Sequence, residues 1–98
     1  MAKVKITVLK REFYPDLANM YVGRETEACT RFADGQEFMV ETLDQPANFC
    51  AAAWQDISAN VNVLLKGGNF TPWMKEEDIN ILCCTDGIRP VVFEVKRV

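Results

Sequence analysis

Residues 50–65 read CAAAWQDISANVNVLL, and this stretch decides the fold. Cys50, Ala53, Trp54, Ile57, Val61, Leu64 and Leu65 recur at spacings of three and four, the period of one helical face, while Gln55, Asp56, Asn60 and Asn62 fall mainly off it. Ahead of the stripe, Asp44 to Asn48 holds Pro46 and two residues suited to an N-cap. Behind it, Gly67-Gly68 supplies the residue type that most easily takes the left-handed conformation with which helices end. A helix that is apolar along one stripe has to bury it, so the flanking segments must provide a second layer.

Those flanks read as strands. Val4, Ile6 and Val8 alternate with Lys3, Lys5 and Thr7, the period-two pattern of a half-buried strand over residues 3–10. The Asp34-Gly35 turn signal precedes a second alternating run, Gln36 to Glu41, with Phe38 and Val40 on one face. Ile79 to Cys84 is a short apolar run suited to a central strand, and Asp86-Gly87 predicts a tight hairpin turn leading to Val91, Phe93 and Val95. Between the first two strands, Pro15-Asp16 opens a helical turn expected to carry Leu17, Met20 and Tyr21 inward. Residues 24–31 read as polar loop containing Cys29. The segment GGNFTPWMK, 67–75, is an irregular reversal whose Phe70, Trp73 and Met74 are expected to fold back onto the core. The order gives an α+β fold in one domain, 1–98. It is a mostly antiparallel sheet of about four strands, with one long amphipathic helix packed on one face and a short N-terminal helical turn.

Composition narrows the function classes. The net charge is -3, and the lysines and arginines are scattered, which argues against nucleic acid as a partner. No apolar run approaches the roughly 20 residues of a bilayer span, so no membrane role is expected. The charged, alternating start at Met1-Ala2-Lys3 is unlike a signal peptide, which places the chain in the cytoplasm. Lys96-Arg97 reads as a solvated end of the last strand. The chain has no histidine, and with it go the Ser/His/Asp and Cys/His catalytic designs.

Four cysteines remain as the chemistry-bearing groups: Cys29, Cys50, Cys83 and Cys84. None forms the C-x₂₋₄-C knuckle from which thiolate metal sites are usually built. On an extended strand, Cys83 and Cys84 leave on opposite faces, and Cys83 is the core-facing one if Ile79 and Ile81 point inward. Cys50 falls near the start of the long helix, where the helix dipole favours a thiolate. A two-residue turn at Asp86-Gly87 would set Arg89 opposite Cys84 and make Cys84 the thiol most open to activation. Trp54, Trp73, Phe49, Phe70 and Tyr14 could instead line a small-molecule pocket, with Asp86 and Arg89 at its mouth.

The segments VKITVLKREFYPDLA, 4–18, FCAAAWQDI, 49–57, GGNFTPWM, 67–74, and CCTDGIRPVVFEV, 83–95, together resemble a family of small bacterial and archaeal proteins frequent in anaerobes. The resemblance spans nearly the whole chain and includes the four cysteines, Trp54, Trp73, Asp86 and Arg89. It implies no reaction, cofactor or catalytic residue, because the family carries none that is established.

The leading expectation is a small cytoplasmic binding or interaction module, homo-oligomeric, whose abundant large apolar residues serve core and subunit interface. The alternative is a thiol-dependent redox or metal-binding protein using Cys83 or Cys84 with Cys29 or Cys50. An enzyme would need a deep cleft at the Asp86–Arg89 turn. The sequence names no cofactor or ligand.

Overall fold

The computed structural model describes residues 2–98. Two helices and four strands follow in the order β1 (Val4–Arg11), α1 (Pro15–Tyr21), β2 (Glu37–Val40), α2 (Ala51–Leu65), β3 (Ile79–Cys83) and β4 (Val91–Arg97). The strands form one antiparallel sheet in the order β2-β1-β4-β3, so the two longest strands, β1 and β4, are central. Their registers set Ile6 against Val95 and Val8 against Phe93. Val4, Ile6, Val8, Val91, Phe93 and Val95 thereby share one face, and all are buried.

That face is what the 50–65 stripe covers. Ala53, Trp54, Ile57, Val61 and Leu64 of α2 are buried against it, and Leu65 lies at the margin. The helix packs over β3, β4 and β1, while β2 and β3 form the two edges of the sheet. It closes as the sequence predicts: the Gly67 N–H bonds to the Leu64 carbonyl and the Gly68 N–H to the Val63 carbonyl, the paired bonds of a Schellman stop, with Gly67 at φ 86°. The wide end of the core is aromatic. Phe32, Phe38, Phe49, Trp54 and Phe93 meet mostly edge-to-face, with ring centroids 4.8–5.9 Å apart. Phe32 follows directly on the polar loop and gave no periodic signal in the sequence; tertiary packing alone defines it.

Three expectations are corrected. First, β3 faces the other way. Its register with β4 pairs Asn80 with Val95 and Leu82 with Phe93, so Asn80 and Leu82 face the helix while Ile79, Ile81 and Cys83 take the outer face. Two bonds lock this register, from the Arg97 N–H to the Asp78 carbonyl and from the Cys84 N–H to the Val91 carbonyl. A one-residue slip would move every side chain to the opposite face. Second, α1 turns only Ala18 inward, whereas Leu17, Met20 and Tyr21 are exposed. Third, Phe70 packs against the core, but Trp73, three residues on, is 83% exposed.

Two arginines hold the periphery. The register of β1 with β4 shifts between Val8 and Lys10, so Leu9 is the extra residue of a bulge and lies exposed. Beyond the bulge, Arg11 donates to the Cys29 carbonyl (2.9 Å) and pairs with Asp34 (3.0 Å). Arg97, expected on a solvated strand end, instead donates through Nη1 to the Leu64 (2.9 Å) and Gly68 (2.7 Å) carbonyls. Its Nη2 reaches the Glu77 carbonyl, which ties the last strand to the α2 C-terminus and to the approach to β3.

Candidate functional site

The four cysteines are free thiols placed in four different settings. Cys50 is the N-cap of α2 and packs against the core, with no side-chain capping bond among the described residues. Cys29 also packs on the core margin, and its carbonyl is held by Arg11. Cys84 faces the core, and Cys83, expected there, is exposed. Among the described residues, no three of His, Cys, Asp or Glu gather closely enough to hold a metal ion.

The adjacent pair has a local job at the end of β3. The Cys83 thiol donates to the Cys84 carbonyl (3.1 Å), and the Val91 N–H donates to Cys84 Sγ (3.3 Å). The Cys84 sulfur therefore takes the ladder amide that its own carbonyl would ordinarily accept. Asp56 of α2 completes the tie by accepting from both the Thr85 N–H (2.9 Å) and the Thr85 hydroxyl (3.1 Å). Partial burial pushes the Cys83 thiol above its ordinary range, and its electrostatic coupling to Cys84 and Asp56 pushes it the same way. This is the opposite of the electropositive setting that makes a cysteine reactive at neutral pH.

Arg89 does not stand opposite Cys84. The β3–β4 connection is the longer loop Thr85–Pro90 rather than a two-residue turn, and Val91 is the ladder partner of Cys84. The loop is organised by Asp86, whose Oδ1 accepts the Ile88 (2.9 Å) and Arg89 (2.8 Å) N–H groups while Oδ2 faces Arg89 Nε at 3.4 Å. Burial acts to raise the Asp86 carboxyl, but those two backbone donors and the Arg89 charge outweigh it and hold the group below its ordinary 3.8. The residues Asp86 and Arg89 thus satisfy each other.

The expected aromatic pocket is dispersed: Trp54 and Phe49 are core, Phe70 packs on it, and Trp73 and Tyr14 lie out in water. Two clefts open elsewhere, and neither is lined by Asp86 or Arg89. The larger, about 690 Å³, lies beside α1, with Phe13, Ala18 and Val22 as its apolar lining and Arg24, Glu25 and Glu27 among its charged residues. The smaller, about 350 Å³, is bounded by Trp73, Met74, Lys75, Glu76 and Ile79, at the start of β3. No spacing within 24–31 announces the first cleft, which that loop forms together with α1.

Among the exposed apolar side chains of the described residues, two groups stand close along the chain. One is on α1, where Tyr14 (41%), Leu17 (36%), Met20 (73%) and Tyr21 (77%) are exposed. The other joins Trp73 to the outer face of β3, where Ile81 is exposed and Ile79 half-buried. They sit toward opposite ends of β3. The chain entering α1 is tied to the β3–β4 loop, with the Glu12 N–H on the Pro90 carbonyl and the Tyr14 N–H on the Ile88 carbonyl, whereas Trp73 precedes β3.

Fold and surface together define a two-layer α+β protein with one sheet face under a helix and apolar side chains left open on α1 and beside the edge strand β3. No family model, curated protein or solved structure matches the chain, so the resemblance noted in its sequence gains no support from these comparisons. Among the described residues, no helix is long and apolar enough to cross a membrane.

Proposed function

We propose that this protein is a small binding module of the cytoplasm that works as a homo-oligomer, with a second copy covering the apolar side chains that one chain leaves in water. The observation that carries this reading is α1. A helix of seven residues is well below the ~12–15 at which isolated helices become even marginal in water, so it depends on packing. Yet only Ala18 is buried, and Tyr14, Leu17, Met20 and Tyr21 present an apolar surface outward. Aromatic and methionine side chains of this kind are enriched at the centres of protein interfaces. The cleft on the other side of α1, with Arg24 beside Glu25 and Glu27, is the place where such a module would take a small ligand. A reducing cytosol would keep the four thiols free.

The thiol-based alternative loses the activation that the sequence offered Cys84, because Arg89 serves Asp86, and the Cys83 thiol is raised rather than lowered. Sedimentation equilibrium from micromolar to submillimolar protein tests the proposal. The expected result is a reversible dimer or higher species, weakened by the double substitution M20S/Y21S, whose sites make no core contact. A strict monomer throughout that range would remove it.

A further inference from the structure

The two open edges of the sheet are built differently. At the β2 edge, the Val8 N–H bonds to the Gln36 carbonyl, so the alternate residues Glu37, Met39 and Glu41 turn their backbone groups outward. Two carboxylates therefore flank that edge, each paired with a lysine on or just before β1, Lys5 with Glu37 and Lys3 with Glu41. Charged side chains are a common protection of sheet edges, and a second β2 laid antiparallel about Met39 would face Glu37 with Glu41.

The β3 edge has no such protection. Asp78 and Cys84 bond to β4, so Asn80 and Leu82 do as well, and the backbone groups of Ile79, Ile81 and Cys83 point to the open side. No charge lies between Ile79 and Cys83. The strand is also self-complementary: laid antiparallel on a copy of itself about Ile81, it matches Ile79 with the partner's Cys83 and Ile81 with the partner's Ile81. Each of these is a pair whose backbone groups face one another and can exchange two hydrogen bonds. The Ile81 N–H is held in the single chain by Asn80 Oδ1 at 2.9 Å, from a buried position otherwise given to apolar residues. The side chain of Asn80 thus occupies the central edge amide until a partner carbonyl shares it.

We infer that β3 is the dimer seam: two copies pair β3 to β3 antiparallel about a two-fold axis at Ile81, joining their sheets into one continuous eight-stranded sheet. This deepens the homo-oligomer reading and rests on it. The antiparallel arrangement sets the Trp73 end of each copy alongside the β3–β4 loop of the other, the loop to which the chain entering α1 is tied. At roughly 200 Å² for a large aromatic side chain, Trp73 at 83% and Tyr21 at 77% exposure leave about 300 Å² per copy to be covered, a substantial part of the ~800 Å² per partner of a stable dimer.

Three variants test the seam, all at outward-facing positions. In a C83S background, I81C places one thiol per copy at the axis, where hydrogen-bonded cross-strand Cα atoms lie ~5.5 Å apart, within disulfide range. Mild oxidation is expected to give a covalent dimer. The charge of I81K, doubled at the axis, is expected to raise the dimer dissociation constant by about tenfold or more. The matching change on the guarded edge, M39K, is expected to leave it within about twofold, and far-UV circular dichroism checks that each variant is folded. A dimer in which I81C fails to cross-link and I81K associates like wild type would overturn the seam and leave self-association standing. A monomeric wild type overturns both.

Discussion

Replacing Arg97 by alanine removes the clamp between the last strand and the end of α2. The guanidinium donates to the Leu64 and Gly68 carbonyls at 2.9 and 2.7 Å, and more loosely to Glu77 at 3.3 Å. Hydrogen bonds with a charged partner contribute about 1.5–3 kcal/mol each, and the cation also sits at the negative end of the helix dipole. The total is reduced because Arg97 is only half-buried, so water can replace it at the freed carbonyls, and because the side chain regains rotamer entropy. A net loss of about 2–4 kcal/mol follows from the two shorter bonds after that discount. For a domain of this size that corresponds to a fall in Tm of roughly 10–25 °C. R97K keeps a cation near the helix end but not the planar fork, and recovers about half of the loss or less. R97M keeps the apolar stem and separates packing from hydrogen bonding. Urea unfolding followed by circular dichroism, at a concentration where every variant is monomeric, measures the difference. If R97A and R97M both fall within about 0.5 kcal/mol of wild type, the clamp is not a stabilising feature.

Two further predictions concern the β3–β4 connection. C84A leaves the Val91 N–H without its sulfur acceptor and should cost about 1–3 kcal/mol in urea unfolding, more than C83A, whose thiol is exposed; equal costs would contradict the ladder role of Cys84. The Asp86 carboxyl is held lower in the folded chain than its ordinary 3.8, so the stability it adds is fully present above that value and disappears as pH falls through the folded value. The difference in unfolding free energy between wild type and D86N should therefore be constant above about pH 5 and shrink toward acid, and a difference that grows toward acid would reverse the sign of the argument.

The architecture was legible because the long helix and the two central strands carry strong periodicities, and each is buried on the face its pattern predicts. The failures cluster where pattern and burial part company. In β3, Ile79 and Ile81 look like the core face, yet the register with β4 buries Asn80 between them, and only cross-strand hydrogen bonds reveal that. In α1, Leu17, Met20 and Tyr21 have helical spacing, but the turn that delivers the helix leaves only Ala18 facing the body. The Asp-Gly signal predicts a two-residue turn with Arg89 beside Cys84, whereas Asp86 uses its carboxylate to build a longer loop around Arg89 itself. In β3 and α1 alike the physical consequence is the same, large apolar side chains left in water, and those side chains are the basis of the proposed interface.

Backbone amide exchange at Ile79 and Cys83 tests the dimer seam most directly. Both N–H groups point to the open edge, so they should exchange freely in dilute protein and become protected as concentration rises through the dimer transition. The amides of Asn80 and Leu82, which face β4, should stay protected throughout. If Ile79 and Cys83 exchange equally fast at every concentration while the protein is demonstrably dimeric, the β3 edge is not where the copies meet.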